Sequence, residues 1–298
     1  MPAFIDTHAH YFDRKYAALT EGGDPSTRED ASREDASREA ALVGADTLLS
    51  SPDFQSVVCG VINVGTNLEN SRVAVEQAGK YPFMAVAVGI HPEDCQGLPD
   101  GAPLDPDTTL AALEAWVSDP VRRKADKIVA IGETGLDYYW QPVNKELQKV
   151  FFEGQMEIAR RTGLPVIIHD REAHGDSFET VLKYPDVRGV FHCYSGSAEM
   201  AKELSRRGWY IAFGGTSTFP TANRVREAVA AVPISRLLLE TDGPYMAPVP
   251  FRGRLNHSGL IPHIAQVVAP LHGISVEELA VAVNRSAEAL FGLSAVLR

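Results

Sequence analysis

The 298-residue chain is poor in cysteine and has no apolar run approaching the roughly 20 residues that cross a bilayer. Its three cysteines, Cys59, Cys95 and Cys193, are odd in number and contain no C-x-x-C pair, which argues against a disulfide scaffold and against a cysteine-rich zinc or redox motif. Free thiols in a reducing compartment are expected. Met1 to His10 lacks the basic and then apolar pattern of a signal peptide, so the expectation is a cytoplasmic protein that does not associate with membranes. Positive charge is also in deficit: 28 Lys and Arg against 39 Asp and Glu give a formal net charge of -11. That balance excludes a broad basic surface gripping nucleic acid through its phosphates. It does not exclude a phosphate substrate, because bound cations reverse the sign of a site locally. No shift in composition marks a linker. Residues 1–298 therefore read as one domain, with no obligate protein partner implied.

What the chain does have is a hydrophobic content of 45%, enough for a large core, and a repeating rhythm of short apolar runs and longer amphipathic stretches. The runs Phe4 to His10, Ser56 to Val64, Phe83 to His91, Lys127 to Asp137, Pro165 to Asp170, Val187 to Ser195, Trp209 to Gly215 and Leu237 to Asp242 read as eight strands. Leu68 to Lys80, Thr108 to Ser118, Asn144 to Thr162, Ala198 to Arg207 and Asn223 to Ala231 read as helices between them. Ser275 to Phe291 opens with an S-x-x-E capping box and reads as a closing helix. The fold class is thus α/β, a single (β/α)8 TIM barrel. A charged insertion at residues 24–40 follows the first strand, with REDAS repeated at Arg28 and Arg33 and a partial copy at Arg38. Such a repeat reads as a solvated helical or mobile insertion, with a partner-binding loop as the alternative.

A parallel barrel gathers all its strand ends at one face, so ionisable residues there become neighbours. His8 and His10, two apart on a strand, point to the same side and can share one cation, or can form a hydrogen-bonded pair. Glu133 sits in the apolar stretch Ile131-Gly132-Glu133-Thr134-Gly135, where flanking glycines leave room for a ligand. There it is either a carboxylate bridging two cations or one partner of a buried ion pair. His169 and His192 each follow apolar strand segments, and their joint appearance weakens the reading of each as an ordinary core histidine. Asp242 ends its strand before Gly243-Pro244, suited either to metal ligation and proton acceptance or to an Asx-turn. Four histidines and two carboxylates supply donors for two divalent ions, Mg, Mn or Zn. Hydrolysis by attack of a metal-activated water is the chemistry such a centre serves.

In this order the motifs resemble the TatD family of metal-dependent deoxyribonucleases, within the broader amidohydrolase-like barrels. The stretches are Asp6-Thr7-His8-Ala9-His10, Gly89-Ile90-His91-Pro92, Ile131 to Tyr138, Pro165 to His169, His192-Cys193-Tyr194-Ser195-Gly196 and Glu240 to Tyr245, followed by the Asn284 to Ala287 region. The resemblance implies His8, His10, Glu133 and Asp242 around one cation and Glu133, His169 and His192 around the other, with Asp242 also the general base. It implies cleavage of DNA phosphodiesters from a 3′ end, on single-stranded DNA or 3′ termini. His91 matches a family position near the site. Tyr138 and Trp140 can stack a terminal base or pack under a loop. Arg171 and Arg252 can hold a phosphate bidentately or pair on the surface. His174 reads as an exposed loop histidine. Two features depart from the family pattern: Asn256-His257-Ser258 stands where Asn-Glu-Pro is usual, and the REDAS segment is inserted. Both are expected to act on substrate access.

An amidohydrolase acting on a C–N or ester bond is the competing enzyme class, with a deacylase of misacylated D-aminoacyl-tRNA as a narrower form. Many amidohydrolases bridge their cations with a carboxylated lysine on the fourth strand. Here Glu133 stands there instead. The non-enzymatic alternative is a barrel scaffold that uses REDAS as its contact element.

Overall fold

The computed structural model describes residues 2–21, 37–97 and 101–297. The first two REDAS copies lie outside the described residues except for Ser37, which caps the helix opened by the partial third copy. The strands are β1 (Phe4–Ala9), β2 (Val58–Val64), β3 (Met84–Val88), β4 (Ile128–Asp137), β5 (Val166–Arg171), β6 (Gly189–Phe191), β7 (Tyr210–Phe213) and β8 (Leu237–Leu239). Around them run α1 (Arg38–Leu49), α2 (Pro52–Val57), α3 (Leu68–Lys80), α4 (Pro92–Cys95), α5 (Pro106–Val117), α6 (Pro120–Ala125), α7 (Lys145–Thr162), α8 (His174–Leu182), α9 (Ala198–Arg206), α10 (Asn223–Ala231), α11 (Ile261–Leu271) and α12 (Val276–Phe291). No single helix among the described residues is long and apolar enough to cross a membrane.

All eight expected strands form, paired in parallel in the order β1 to β8. A parallel strand in a barrel is covered on both faces, which is why Met84–Val88 and Ile128–Asp137 are buried throughout. Alternation still sorts the side chains. Val86, Ile168 and Ile211 join the large cluster that includes the helices, whereas Ala87, Ile167 and Ala212 join a second one with Leu290 and Phe291 of α12. The expected closing helix forms with its capping box intact. The strands mostly stop short of their apolar runs, and β6 and β8, three residues each, do so for the same reason. Cys193 and Asp242 have φ of 42° and 57°, a left-handed backbone that leaves the ladder just after β6 and β8.

Closure of the barrel joins β8 to β1. One isolated bridge pairs Ala9 with Gly243, and two backbone bonds support it, His10 N–H to the Gly243 carbonyl at 2.7 Å and Asp242 N–H to the His8 carbonyl at 2.9 Å. The Asp6 side chain does the rest. Wholly buried, it accepts from His8 N–H (3.1 Å), Thr241 N–H (3.0 Å), Thr241 Oγ1 (2.5 Å) and Ser258 Oγ (2.6 Å). Burial pushes this carboxyl up to about 7 against the pull of those hydrogen bonds. Asn256 and Ser258 also belong to this seam. Both are fully buried, and Asn256 Nδ2 donates to the carbonyls of Thr241 (2.7 Å) and Tyr245 (2.5 Å). The departure from the family pattern at Asn256–Ser258 thus sits at the barrel closure, where its flanking side chains hold the residues after β8 and Asp6.

Asp6→Ala would leave four donors unpaired in a closed site. A loss of about 3 kcal/mol or more is expected, read as a lower urea midpoint with an unchanged slope. Asp6→Asn, which keeps one acceptor oxygen, should lose less. An Ala variant as stable as the parent would show that the seam is held by other groups.

Candidate metal centre

The seam delivers the ends of β1 and β8 to the mouth beside β4, β5 and β6. His8 and His10 project together, their Nε2 atoms 3.1 Å apart. Glu133 on β4 lies between two sets of imidazoles. Its Oε2 is 3.2 Å from His8 Nε2 and 3.6 Å from His10 Nε2. Its Oε1 is 2.6 Å from His192 Nε2 and 2.8 Å from His169 Nδ1. Asp242 Oδ1 completes the first set at 3.4 Å from His10 Nε2 and 3.8 Å from His8 Nε2. All six side chains expected at the centre are therefore together, with the two carboxylate oxygens of Glu133 facing different groups.

The glycines beside Glu133 have a different use from the one expected. A Cβ at Gly132 would lie 2.8 Å from the Ile167 Cβ, and one at Gly135 would lie 2.0 Å from the His169 carbonyl oxygen. They let β4 press against β5, instead of leaving room for a ligand, and so bring Glu133 to His169. Gly135, at φ +140°, also has a backbone that side-chain-bearing residues rarely adopt.

Burial by itself would raise the Glu133 pKa, but His192, His8, His91 and His169 around it hold it well below the usual carboxylate range. Burial acts on His169 in the opposite sense, yet its hydrogen bonds to Asp137 and Glu133 carry it up to about 9. Asp242 is likewise depressed: burial raises it, and His10, His8 and His192 more than offset that. Such a centre is electrically satisfied by positive charge held among its donors, whether protons or a cation.

The orientation of the rings fits cations. His10 donates from Nδ1 to the Val64 carbonyl at 2.6 Å, and His169 donates from Nε2 to Asp137 Oδ2 at 3.0 Å. Each outer nitrogen thus has a fixed acceptor, and the inner one holds a proton in the free protein or a cation when one binds, the usual arrangement of a ligating histidine. His192 turns Nδ1 towards Glu240 Oε1 at 3.6 Å, and its inner Nε2 faces Glu133. The His8 Nδ1, His192 Nδ1 and Glu240 Oε2 atoms are buried without a hydrogen-bond partner among the described residues. Imidazole nitrogens and carboxylate oxygens together suit divalent ions of the first transition row, and also Mg. Asp6 and Glu240 were not singled out as site residues from the sequence, and Asp137 stood out there only as a strand-end carboxylate with no role. Their signal was available, since each is a carboxylate in or just past an apolar strand.

The expected substrate contacts separate. His91 reaches the centre, its Nε2 3.6 Å from Glu133 Oε1. Tyr138 does not face solvent as a free ring: its hydroxyl donates to Asp176 at 2.7 Å, Lys145 Nζ lies 4.0 Å from its ring centre, and it packs on the core. Trp140 is 47% exposed, and its exposed partner is Tyr139, a residue the sequence did not single out, with the two rings 5.0 Å apart. Arg171 lies 3.9 Å from the Tyr139 ring and 5.5 Å from that of Trp140, and Arg252 lies 4.2 Å from the Phe219 ring. His174 is not an exposed loop residue. It opens α8, is half-buried, and meets Asp170 Oδ2 at 2.7 Å.

Comparison with known proteins agrees with this geometry. Residues 5–292 match the profile of the family described as TatD related DNase. The chain is 36% identical over 237 residues to the uncharacterized metal-dependent hydrolase YabD of Bacillus subtilis, covering 78% of this chain and 88% of that one. It is 41% identical over 182 residues to the uncharacterized metal-dependent hydrolase YcfH of Escherichia coli K12, covering 60% of this chain and 69% of the other. The crystal structure of YJJV, a TatD homolog from Escherichia coli K12, superposes with a TM-score of 0.75 at 27% identity, covering 97% of this chain and 98% of that one. With its closed parallel barrel and its histidine and carboxylate cluster, the chain belongs to the TatD-related family of metal-dependent hydrolases.

Proposed function

We propose that the protein hydrolyses DNA phosphodiester bonds, working from the 3′ ends of single-stranded DNA. The observation that carries this reading is the placement of Glu133, whose two oxygens address two separate imidazole groups. That arrangement suits a pair of cations: one held by His8, His10, Glu133 and Asp242, the other by Glu133, His169 and His192. Bound there, divalent ions Mg, Mn or Zn would supply positive charge opposite the phosphoryl oxygens and lower the pKa of water.

The chain's own groups divide the remaining work. Asp242 is 15% exposed against 3% for Glu133, so it is the more open of the two carboxylates and the one placed to take a proton from the attacking water. Glu133 keeps the two donor sets in register. At the mouth, Trp140 and Tyr139 offer faces on which a terminal base can stack, a contact indifferent to base identity. Arg171, over the Tyr139 ring, offers its N–H groups to a phosphate. Arg252 on Phe219 offers a second such fork. Hydrolysis of a single-stranded oligonucleotide labelled at its 3′ end, by metal-loaded protein with and without a chelator, tests the proposal. Chelator-sensitive release of mononucleotides is the expected result, and intact oligonucleotide with every metal tried would refute it.

Glu133→Ala should lose both cations, whereas His192→Ala should lose chiefly one, as read by elemental analysis of dialysed protein. Full occupancy in the Glu133 variant would remove its bridging role. Asp242→Asn should cut kcat by about 10²- to 10⁴-fold, the range of a general base, while its metal content falls far less. Equal losses would make it a ligand only. Trp140→Ala and Arg171→Ala should each raise KM for single-stranded DNA about tenfold, in line with one lost stacking or charged contact, with metal content unchanged. An unaltered KM in both would place the DNA elsewhere.

A further inference from the structure

The imidazoles around Glu133 do not share one polarity. His10 and His169 give their outer protons to Val64 and Asp137, so the nitrogen facing inward is the one that can exchange its proton for a cation. His91 is held the opposite way. It is the N-cap of α4, and its Nδ1 accepts the backbone N–H of Glu93 at 3.2 Å. Pro92 at the first helical position has no N–H of its own, and the cap falls on the second residue, the usual place. The His91 backbone is pinned as well, its N–H donating to the Thr66 carbonyl at 2.7 Å.

A ring nitrogen that accepts a hydrogen bond carries no proton, so the proton of this imidazole sits on Nε2. That is the atom turned to the centre. A Cβ at Gly89 would come within 2.6 Å of the Gly132 backbone, so the end of β3 lies against the middle of β4 and places His91 opposite Glu133. At 3.6 Å the Glu133 Oε1 is beyond hydrogen-bond range of Nε2, and the side chain is 12% exposed. His91 lies close enough to Glu133 and His169 to be taken for a third ligand of a cation. Its inner nitrogen has a hydrogen where a ligand needs a lone pair.

We infer that His91 binds no cation and instead donates its Nε2 proton, as a hydrogen bond, to an anionic phosphoryl oxygen of the substrate. The identity of that acceptor rests on the phosphodiester reading above, while the exclusion of His91 from the ligand set does not. A donor fixed by a backbone cap costs little reorganisation when charge grows on the oxygen it faces.

Two measurements test this. In zinc-loaded wild-type protein, long-range ¹H–¹⁵N correlation of labelled histidines should show His91 protonated on Nε2 and bare on Nδ1. His91→Ser keeps a residue suited to the N-cap and removes the inward donor. It should bind the same number of zinc ions with affinity within about twofold, whereas its affinity for inorganic phosphate, by calorimetry on the zinc-loaded protein, should fall about tenfold or more. A Nδ1-protonated ring, or loss of a zinc equivalent in His91→Ser, would make His91 a ligand and overturn the inference. Unchanged phosphate affinity would overturn the substrate contact. Wild-type protein that binds zinc but is indifferent to phosphate would overturn the phosphodiester reading and the acceptor named here, with the tautomer still deciding whether His91 is a ligand.

Discussion

The centre depends on the seam between the last strand and the first. Among the described residues the two ends meet in a single bridge, Ala9 with Gly243, too little shared edge to hold a barrel shut by strand pairing alone. Asp6 substitutes for the missing ladder with a buried carboxylate that takes up four donors from β1, the end of β8 and the Ser258 turn. The same few ångströms set His8 and His10 against Asp242, since Asp242 N–H bonds to the His8 carbonyl and His10 N–H to that of Gly243. Fold closure and ligand placement are therefore one event. A change that opened the seam would scatter one donor set and leave the other, on β4 to β6, nearly intact.

Electrostatics then selects what the mouth can hold. A carboxylate as buried as Glu133 is costly unless opposite charge or hydrogen-bond donors surround it. The protein supplies imidazoles, whose charge is conditional, so the same site accepts protons when free and metal cations when they are bound. Outer carboxylates and carbonyls decide which nitrogen of each ring does so. Asp137 fixes His169, Val64 fixes His10, and the Glu240 carboxylate, which also receives the Cys193 backbone N–H, stands behind His192. His91 is the exception that defines the boundary of the cluster, because its outer nitrogen meets a donor rather than an acceptor.

Most of this architecture was legible in the residues, and the reasons differ by element. Strands buried on both faces must be nearly all apolar, so Met84–Val88 and Val166–Ile168 stood out, and ionisable groups at their ends stood out against them. Helix α3 was bounded correctly because Asn67 caps it. Other features were hidden because they depend on partners remote in sequence. Nothing local reveals that Gly135 serves the His169 carbonyl, that Tyr138 spends its hydroxyl on Asp176, or that Asn256 holds the carbonyls of Thr241 and Tyr245. The α8 helix was missed because its N-cap position is Ala173, which provides no side-chain cap, and His174 was consequently read as a loop residue.

A net charge of -11 appears ill suited to a polyanionic substrate, and the arrangement of the cations resolves the difficulty. Many basic side chains are neutralised where they stand: Arg161 by Glu114, Lys149 by Asp176, Lys183 by Glu153. Arg171, the last residue of β5, and Arg252, on the loop after β8, are held differently. Among the described residues neither has a carboxylate within 4 Å, and each lies over an aromatic ring. An aromatic face positions a guanidinium through its π-system and leaves the N–H fork in the ring plane uncommitted. On the proposed reading these are the groups that meet the phosphates, with the metal centre supplying the remaining positive charge. The chain can then stay acidic over most of its surface, which disfavours indiscriminate binding along a duplex, and be locally attractive only where a strand end can enter.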